Sequence, residues 1–212
     1  GDYALPEILA VRERVAGLQW VVGVPTDEGR ATTPQLQAVG VRPYGELAGT
    51  DFRGEEFPGS NPDSPMELIY TSGTTGDPKG IVMTHRRYCE TSKITPFLFG
   101  FRPDDRLYSG LSLTHANAQV ITLGTALVNA IPCVLSRRFS KSRLWDITRR
   151  YGCTMFNLLG GMTTAIYAEP RRSDDRDNPV RVVLSAGMPA AIWEDFARRF
   201  DVKISEFYGA AE

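Results

Sequence analysis

The stretch LIYTSGTTGDPKGIVM, residues 68–83, decides how the rest of the chain is read. Two short apolar runs, Leu68–Tyr70 and Gly80–Met83, flank a turn carrying four hydroxyls, two glycines and one lysine, with a third glycine, Gly80, at its exit. Short apolar runs bounded by turn residues read as strands. Backbone N–H groups and hydroxyls in such a turn can converge on an anion, with Lys79 adding a positive charge. Glycine suits it because inward-pointing N–H groups need backbone angles that other residues resist. On composition alone, a flexible hairpin tip rich in Ser, Thr and Gly is the competing reading. The turn is not a Walker A loop, because Gly76 is followed by Asp77-Pro78-Lys79-Gly80 rather than Lys and a hydroxyl. Nor does the chain contain the G-x-G-x-x-G dinucleotide fingerprint.

Downstream, apolar runs alternate with amphipathic stretches. Strands are expected at Arg106–Leu113, Ile131–Leu135, Cys153–Leu158, Val180–Leu184 and Lys203–Phe207. Helices are expected at Arg86–Phe99, Asn117–Asn129, Lys141–Tyr151, Gly161–Ala168 and Pro189–Phe200. That alternation predicts an α/β fold, a largely parallel sheet with flanking helices. Thr84 and Ser140 suit N-caps, Pro189 a first helical turn, and Gly152 a left-handed helix end. Upstream, Pro6–Ala16 reads as a helix and Gln19–Val24 as a strand. Pro25–Pro65, rich in Gly, Pro, Thr and Asp, reads as an irregular excursion with at most one short helix near Tyr44–Leu47. The expected division is residues 1–67 as a helix, strand and excursion, and 68–212 as the binding core.

The 212 residues are 42% hydrophobic and 23% charged, the balance of a soluble globular protein. Twenty-four basic against 25 acidic residues, net −1, argue against nucleic acid as the main partner. The arginine pairs, such as Arg149-Arg150 and Arg198-Arg199, read as solvated helix ends. Three scattered cysteines and two histidines offer no metal spacing and suit a reducing, cytoplasmic location. No apolar run reaches the roughly 18 residues of a membrane span. Gly209-Ala-Ala-Glu212 follows directly on a strand, where open parallel sheets bind ligands, so the chain is expected to belong to a longer protein.

Tyr70–Gly80 resembles, at every fixed position, the phosphate-loop signature of the adenylate-forming superfamily: acyl-CoA synthetases, luciferases and peptide-synthetase adenylation domains. Thr84-His85, LSLTHANAQ (111–119), SAGMP (185–189) and YGAAE (208–212) resemble further family motifs in order and rough spacing. The first sixty-odd residues carry no comparable motif. From Leu111 onward the run is somewhat more similar to carnitine/crotonobetaine-type CoA ligases than to peptide synthetases. Ala116-Asn117-Ala118-Gln119 holds no acid to anchor an α-amine, which favours a simple carboxylic acid.

The resemblance implies ATP, Mg and coenzyme A as cofactors and a small carboxylic acid as partner. Thr71, Ser72, Gly73, Thr74, Thr75, Gly76 and Lys79 would hold the leaving phosphates. Ala186, Gly187, Tyr208 and Gly209 would hold the nucleotide, Tyr208 packing on adenine. His115 and Ala210 would face the acid, Glu212 would bind Mg, and Lys79 and Glu212 would be the catalytic pair. His115 equally suits a hydrogen-bonded strand end, and Tyr208 a core aromatic. Ala211 stands where the family usually has a Thr that contacts the α-phosphate, a lost donor worth about 1 kcal/mol. The family's ribose-binding aspartate, hinge and mobile C-terminal domain with its lysine are expected outside these residues, so the 212-residue chain alone is expected to be inactive. Association into a homo-oligomer is compatible with the pattern. An acid–CoA ligase leads, ahead of an enzyme loading a carrier protein and a non-catalytic nucleotide-binding homologue. Leu158, Leu159 and Met162, with Gly160 and Gly161, suit either a roomy acid pocket or a core strand leading into a helix.

Overall fold

Successive residues of the central strands go alternately to two cores. Met155, Val182 and Leu184 pack with Leu107 and Ala126 on one side. Phe156, Leu158 and Val183 pack with Leu144, Phe196 and Phe200 on the other. A strand buried on both faces must be apolar throughout, which is why these segments read as continuous hydrophobic runs. The computed structural model describes residues 5–24, 33–49, 61–71 and 77–209. It divides into two compact units, 1–58 and 59–212.

In the larger unit, β5 (Leu107–Ser109), β6 (Cys133–Leu135), β7 (Met155–Leu159), β8 (Val182–Ala186) and β9 (Lys203–Glu206) form one sheet of order β6-β5-β7-β8-β9. All its pairings are parallel. Helices α6 (Leu144–Tyr151), α7 (Gly160–Tyr167) and α8 (Trp193–Phe200) supply one core, with Trp145 stacked on Phe200 at 4.4 Å. Phe156, Phe196, Phe200 and Leu144 are each at most 2% exposed, worth about 1.5–3 kcal/mol apiece. Helix α5 (Thr125–Asn129) and the segment before it cover the opposite face. The α/β, largely parallel expectation holds.

The residues 68–83 form an antiparallel hairpin, β3 (Pro65–Thr71) with β4 (Lys79–Thr84), separate from the parallel sheet. Its inner face, Ile69 and Met83, packs on Tyr88 and Val120. Helix α4 (His85–Phe99) follows. The Thr84 hydroxyl accepts the Arg87 N–H at 3.2 Å, as the cap expectation required. The α4 helix ends at Gly100 with φ +62, and α6 at Gly152 with φ +62, the left-handed exit foreseen for Gly152.

Four readings are corrected. Ser140 caps nothing: α6 begins at Leu144, three residues later than expected, and the Ser140 hydroxyl meets Ser142 instead. Arg106–Leu113 pairs only over Leu107–Ser109, because beyond it the Ser109 side chain accepts the Leu111 N–H and turns the chain away. Pro189 lies one residue before a short 3₁₀ turn, Ala190–Ile192, rather than within the first turn of α8. In the smaller unit, α2 (Thr33–Ala38) joins α3 (Tyr44–Ala48), where at most one helix was expected. Leu36 and Val41 there pack with Leu5 and Val21 into a small core, and β1 (Val22–Gly23) pairs with β2 (Arg42–Pro43). The expected first helix is α1 (Leu5–Val11) followed by a 3₁₀ turn, Arg12–Arg14.

Candidate functional site

Strand order reverses at β5: its sequence neighbour β6 lies on one side and β7, β8 and β9 on the other. The connections leaving β5 and β7 therefore run to opposite sides, and the carboxyl ends of two such strands are the usual ligand position in open parallel sheets. The β5 loop carries His115, and β7 runs directly into Gly160 and Gly161. Loops from β8 and β9 carry Gly187 and Tyr208. Three motif residues, His115, Gly187 and Tyr208, thus leave the same edge of one sheet.

His115 is exposed, and its Nδ1 accepts the Asn117 N–H at 3.1 Å. With Nδ1 taken up as an acceptor, Nε2 is the ring nitrogen left without a partner inside the loop. The expected helix Asn117–Asn129 opens into a π-helix over Asn117–Gly124 before α5 begins. Its cause lies on α4. The Tyr88 hydroxyl donates to Gln119 O at 3.0 Å and the Ser92 hydroxyl to Val120 O, giving those carbonyls partners from outside the helix. Gly124 allows that approach, since a Cβ there would lie 2.2 Å from Ser92 Oγ. Wide turns of this kind are rare and concentrate at functional sites. At its start, Asn157 of β7 donates to Asn117 Oδ1 at 2.5 Å. Asn117 Nδ2 and Asn157 Oδ1 are buried without a hydrogen-bond partner.

Gly187 has φ +92, a left-handed turn that favours glycine. Its carbonyl presses on Gly160, where a Cβ would come within 2.3 Å of that oxygen. The Gly187 and Met188 N–H groups both donate to the Glu206 carboxylate, at 2.6 and 3.1 Å. Ala186 is half-buried, Gly209 is exposed, and Tyr208 is 95% exposed, a ring presented to solvent rather than packed in the core. Leu158, 1% exposed, and Met162 belong to the core, which favours the strand-into-helix reading of that segment.

On the hairpin, Thr71 pairs with Lys79 across the ladder, half-buried and exposed respectively. Gly80 gives room to the Tyr70 ring opposite, 3.3 Å from where its Cβ would lie. Ser72, Gly73, Thr74, Thr75, Gly76, Ala210 and Glu212 lie outside the described residues, as does Ala211.

Two charged pairs with buried carboxylates lie toward the amino ends of the strands, away from this edge. At the amino ends of the strands, burial opposes ionisation of Asp105, but donors from Arg181, Thr154 and the Arg102 N–H hold its carboxyl below the usual range. Buried Arg199 pairs with Asp175 at 2.7 Å and donates to the carbonyls of Tyr167, Glu169 and Pro170. Burial pushes the Cys133 and Cys153 thiols up to about 11, so neither is a nucleophile. Among the described residues no cluster of His, Cys, Asp and Glu could hold a metal, and no helix is long and apolar enough to cross a membrane.

Sequence reading missed Glu206, Asn157 and the pair Tyr88–Ser92. All four read as ordinary strand and helix residues, and only their contacts distinguish them.

A family model described as AMP-binding enzyme matches residues 7–212. Long-chain fatty acid transport protein 1 from Homo sapiens is 36% identical over 158 residues, 74% of this chain and 24% of its own length. The chain thus spans about a quarter of the curated relatives it matches. ATP-bound MatB from Rhodopseudomonas palustris superposes with a TM-score of 0.72 at 19% identity, over 92% of this chain and 40% of that one. o-Succinylbenzoate coenzyme A synthetase from Bacillus subtilis, in complex with ATP and magnesium ion, gives 0.70 at 21%, over 96% and 42%.

Proposed function

Since the chain belongs to the AMP-binding enzyme family, we propose that the protein containing it is an ATP-dependent carboxylic acid–CoA ligase. The reaction joins an acid to AMP with release of pyrophosphate, then passes the acyl group to the thiol of coenzyme A with release of AMP. A carboxylate is a poor acyl donor because oxide leaves badly; AMP converts that oxygen into a phosphate leaving group. Carboxylate and α-phosphate repel, so catalysis is chiefly positioning and neutralisation of charge.

One observation carries this reading: His115, Gly187 and Tyr208, from three separate motifs, leave the carboxyl edge of one parallel sheet. In the proposal the Tyr208 ring packs on adenine against the Gly187 loop, and His115 Nε2 faces the acid. Lys79, exposed at the loop end of the hairpin, neutralises the departing phosphates with Thr71, Ser72, Gly73, Thr74, Thr75 and Gly76. Ala186 and Gly209 complete the nucleotide side, and Ala210 lies toward the acid. Glu212 is proposed as the ligand of Mg, a hard cation that favours carboxylate and phosphate oxygens and offsets phosphate charge. Residues 68–212 are proposed as the binding core, acting in the cytoplasm, where unpaired Cys89, Cys133 and Cys153 stay reduced.

The test is acid-dependent exchange of labelled pyrophosphate into ATP by the protein from the complete reading frame, across short-chain, long-chain, aromatic and betaine-type acids. Exchange with one class of acid is expected, slowed by Lys79→Ala and abolished by Glu212→Gln. Folded protein that binds Mg·ATP yet exchanges with none of them refutes the reading.

A further inference from the structure

We infer that Glu206 is a positioning residue that fixes the adenine-facing loop and ties it to Tyr208, a role that rests on the reading above. In the β8–β9 ladder Glu206 lies beside Ser185, the last position at which these two strands pair. The Phe207 N–H donates to Ser185 O at 3.0 Å, so the backbone ladder continues just past Glu206. The Glu206 side chain reaches over the end of β8. Its Oε1 takes the Gly187 N–H at 2.6 Å, and both of its oxygens take the Met188 N–H at 3.1 Å.

These are the first two amides beyond β8, where Gly187, at φ +92, turns the chain. Left to water they would leave the loop several backbone conformations. An ionised acceptor makes shorter, stronger bonds than a neutral one and selects a single conformation. On the far side the Gly187 carbonyl abuts the backbone of Gly160, so the loop is held from two directions.

The same three residues that begin with the clamp end with the exposed ring of Tyr208. One short segment therefore grips one wall of the adenine slot and supplies the other. Any displacement of the loop changes the spacing between them. Glu206 is itself exposed, so the carboxylate is not needed to fill a core or neutralise a buried charge. Its contribution is to loop geometry.

The experiment compares wild type, Glu206→Gln and Glu206→Ala in the protein from the complete reading frame. Pyrophosphate exchange gives KM for ATP and for the acid separately, titration gives the Kd for AMP, and thermal melts report folding. Glutamine keeps the length and one acceptor oxygen; alanine removes both. The expected result for Glu206→Ala is an increase on the order of tenfold in KM for ATP and in the Kd for AMP. The KM for the acid and the melting temperature should stay near wild type, and Glu206→Gln should recover most of the loss. Unchanged nucleotide constants in the alanine variant overturn the inference, as does an equal loss in both variants or a parallel fall in melting temperature. If wild type binds AMP but exchanges no pyrophosphate, the activity reading fails alone and the three AMP constants still decide the clamp. If wild type does not bind AMP, both fail.

Discussion

Gly160 and Gly161 are neighbours in sequence, yet alanine should act on them in opposite directions. A Cβ on Gly160 would lie 2.3 Å from the Gly187 carbonyl oxygen, close to an ångström inside ordinary contact. Both partners are backbone, so no flexible side chain can move aside; either α7 or the 185–189 loop must shift. Overpacking of that kind costs about 1–3 kcal/mol. For a domain of this size each kcal/mol lowers the melting temperature by about 2–4 °C, so Gly160→Ala should melt about 2–12 °C below wild type. A Cβ on Gly161 meets nothing within 4 Å. Replacing glycine in a helix by alanine gains up to about 1 kcal/mol, so Gly161→Ala should melt at or slightly above wild type. Differential scanning calorimetry of the two variants measures both signs. Equal melting temperatures for the pair would refute the close approach of the β7–α7 junction to the β8 loop. So would a Gly160→Ala protein as stable as wild type.

Other outcomes follow from the charged and thiol groups. Arg199→Met should destabilise by about 3–5 kcal/mol in urea titrations, because Asp175 is left buried without its cation, and adding Asp175→Asn should restore part of that loss. The Asp105 carboxyl is held below its unfolded value of about 3.9, so its contribution is present above that pH and disappears as pH falls through the folded value. Asp105→Asn should therefore cost stability at neutral pH and progressively less below about pH 4, measured by urea titrations at a series of pH values. In thiol labelling at neutral pH, exposed Cys89 should react at once. Cys133 and Cys153, pushed up to about 11, should wait for unfolding.

The sheet was legible because burial on both faces forces continuous apolar runs, and the helix end at Gly152 because a left-handed exit favours glycine. The π-helix was not legible. Its carbonyls are satisfied by Tyr88 and Ser92, about 30 positions earlier, and no periodicity within Asn117–Asn129 records that. Ser140 looked like a cap because local propensity favours it there, but the chain turns once more before α6 starts. The smaller unit misled for a different reason. Among the described residues its core rests on four buried apolar side chains, too few to impose a period, although Thr33-Pro34 is a recognisable helix start. In the candidate site, Gly187 and Tyr208 were readable from their motifs. Glu206 acts through side-chain reach over a neighbouring strand, a relation that sequence spacing does not carry.

The most direct test of adenylation follows the carboxylate oxygen itself. The complete protein is supplied with Mg·ATP, coenzyme A and its acid, with heavy oxygen in both carboxylate positions, and the nucleotide product is analysed by mass spectrometry. Attack of the carboxylate on the α-phosphate predicts AMP that carries one heavy oxygen once the thioester has formed, and pyrophosphate that carries none. Heavy oxygen in inorganic phosphate with ADP as the nucleotide product, or thioester formed with unlabelled AMP, would contradict the account.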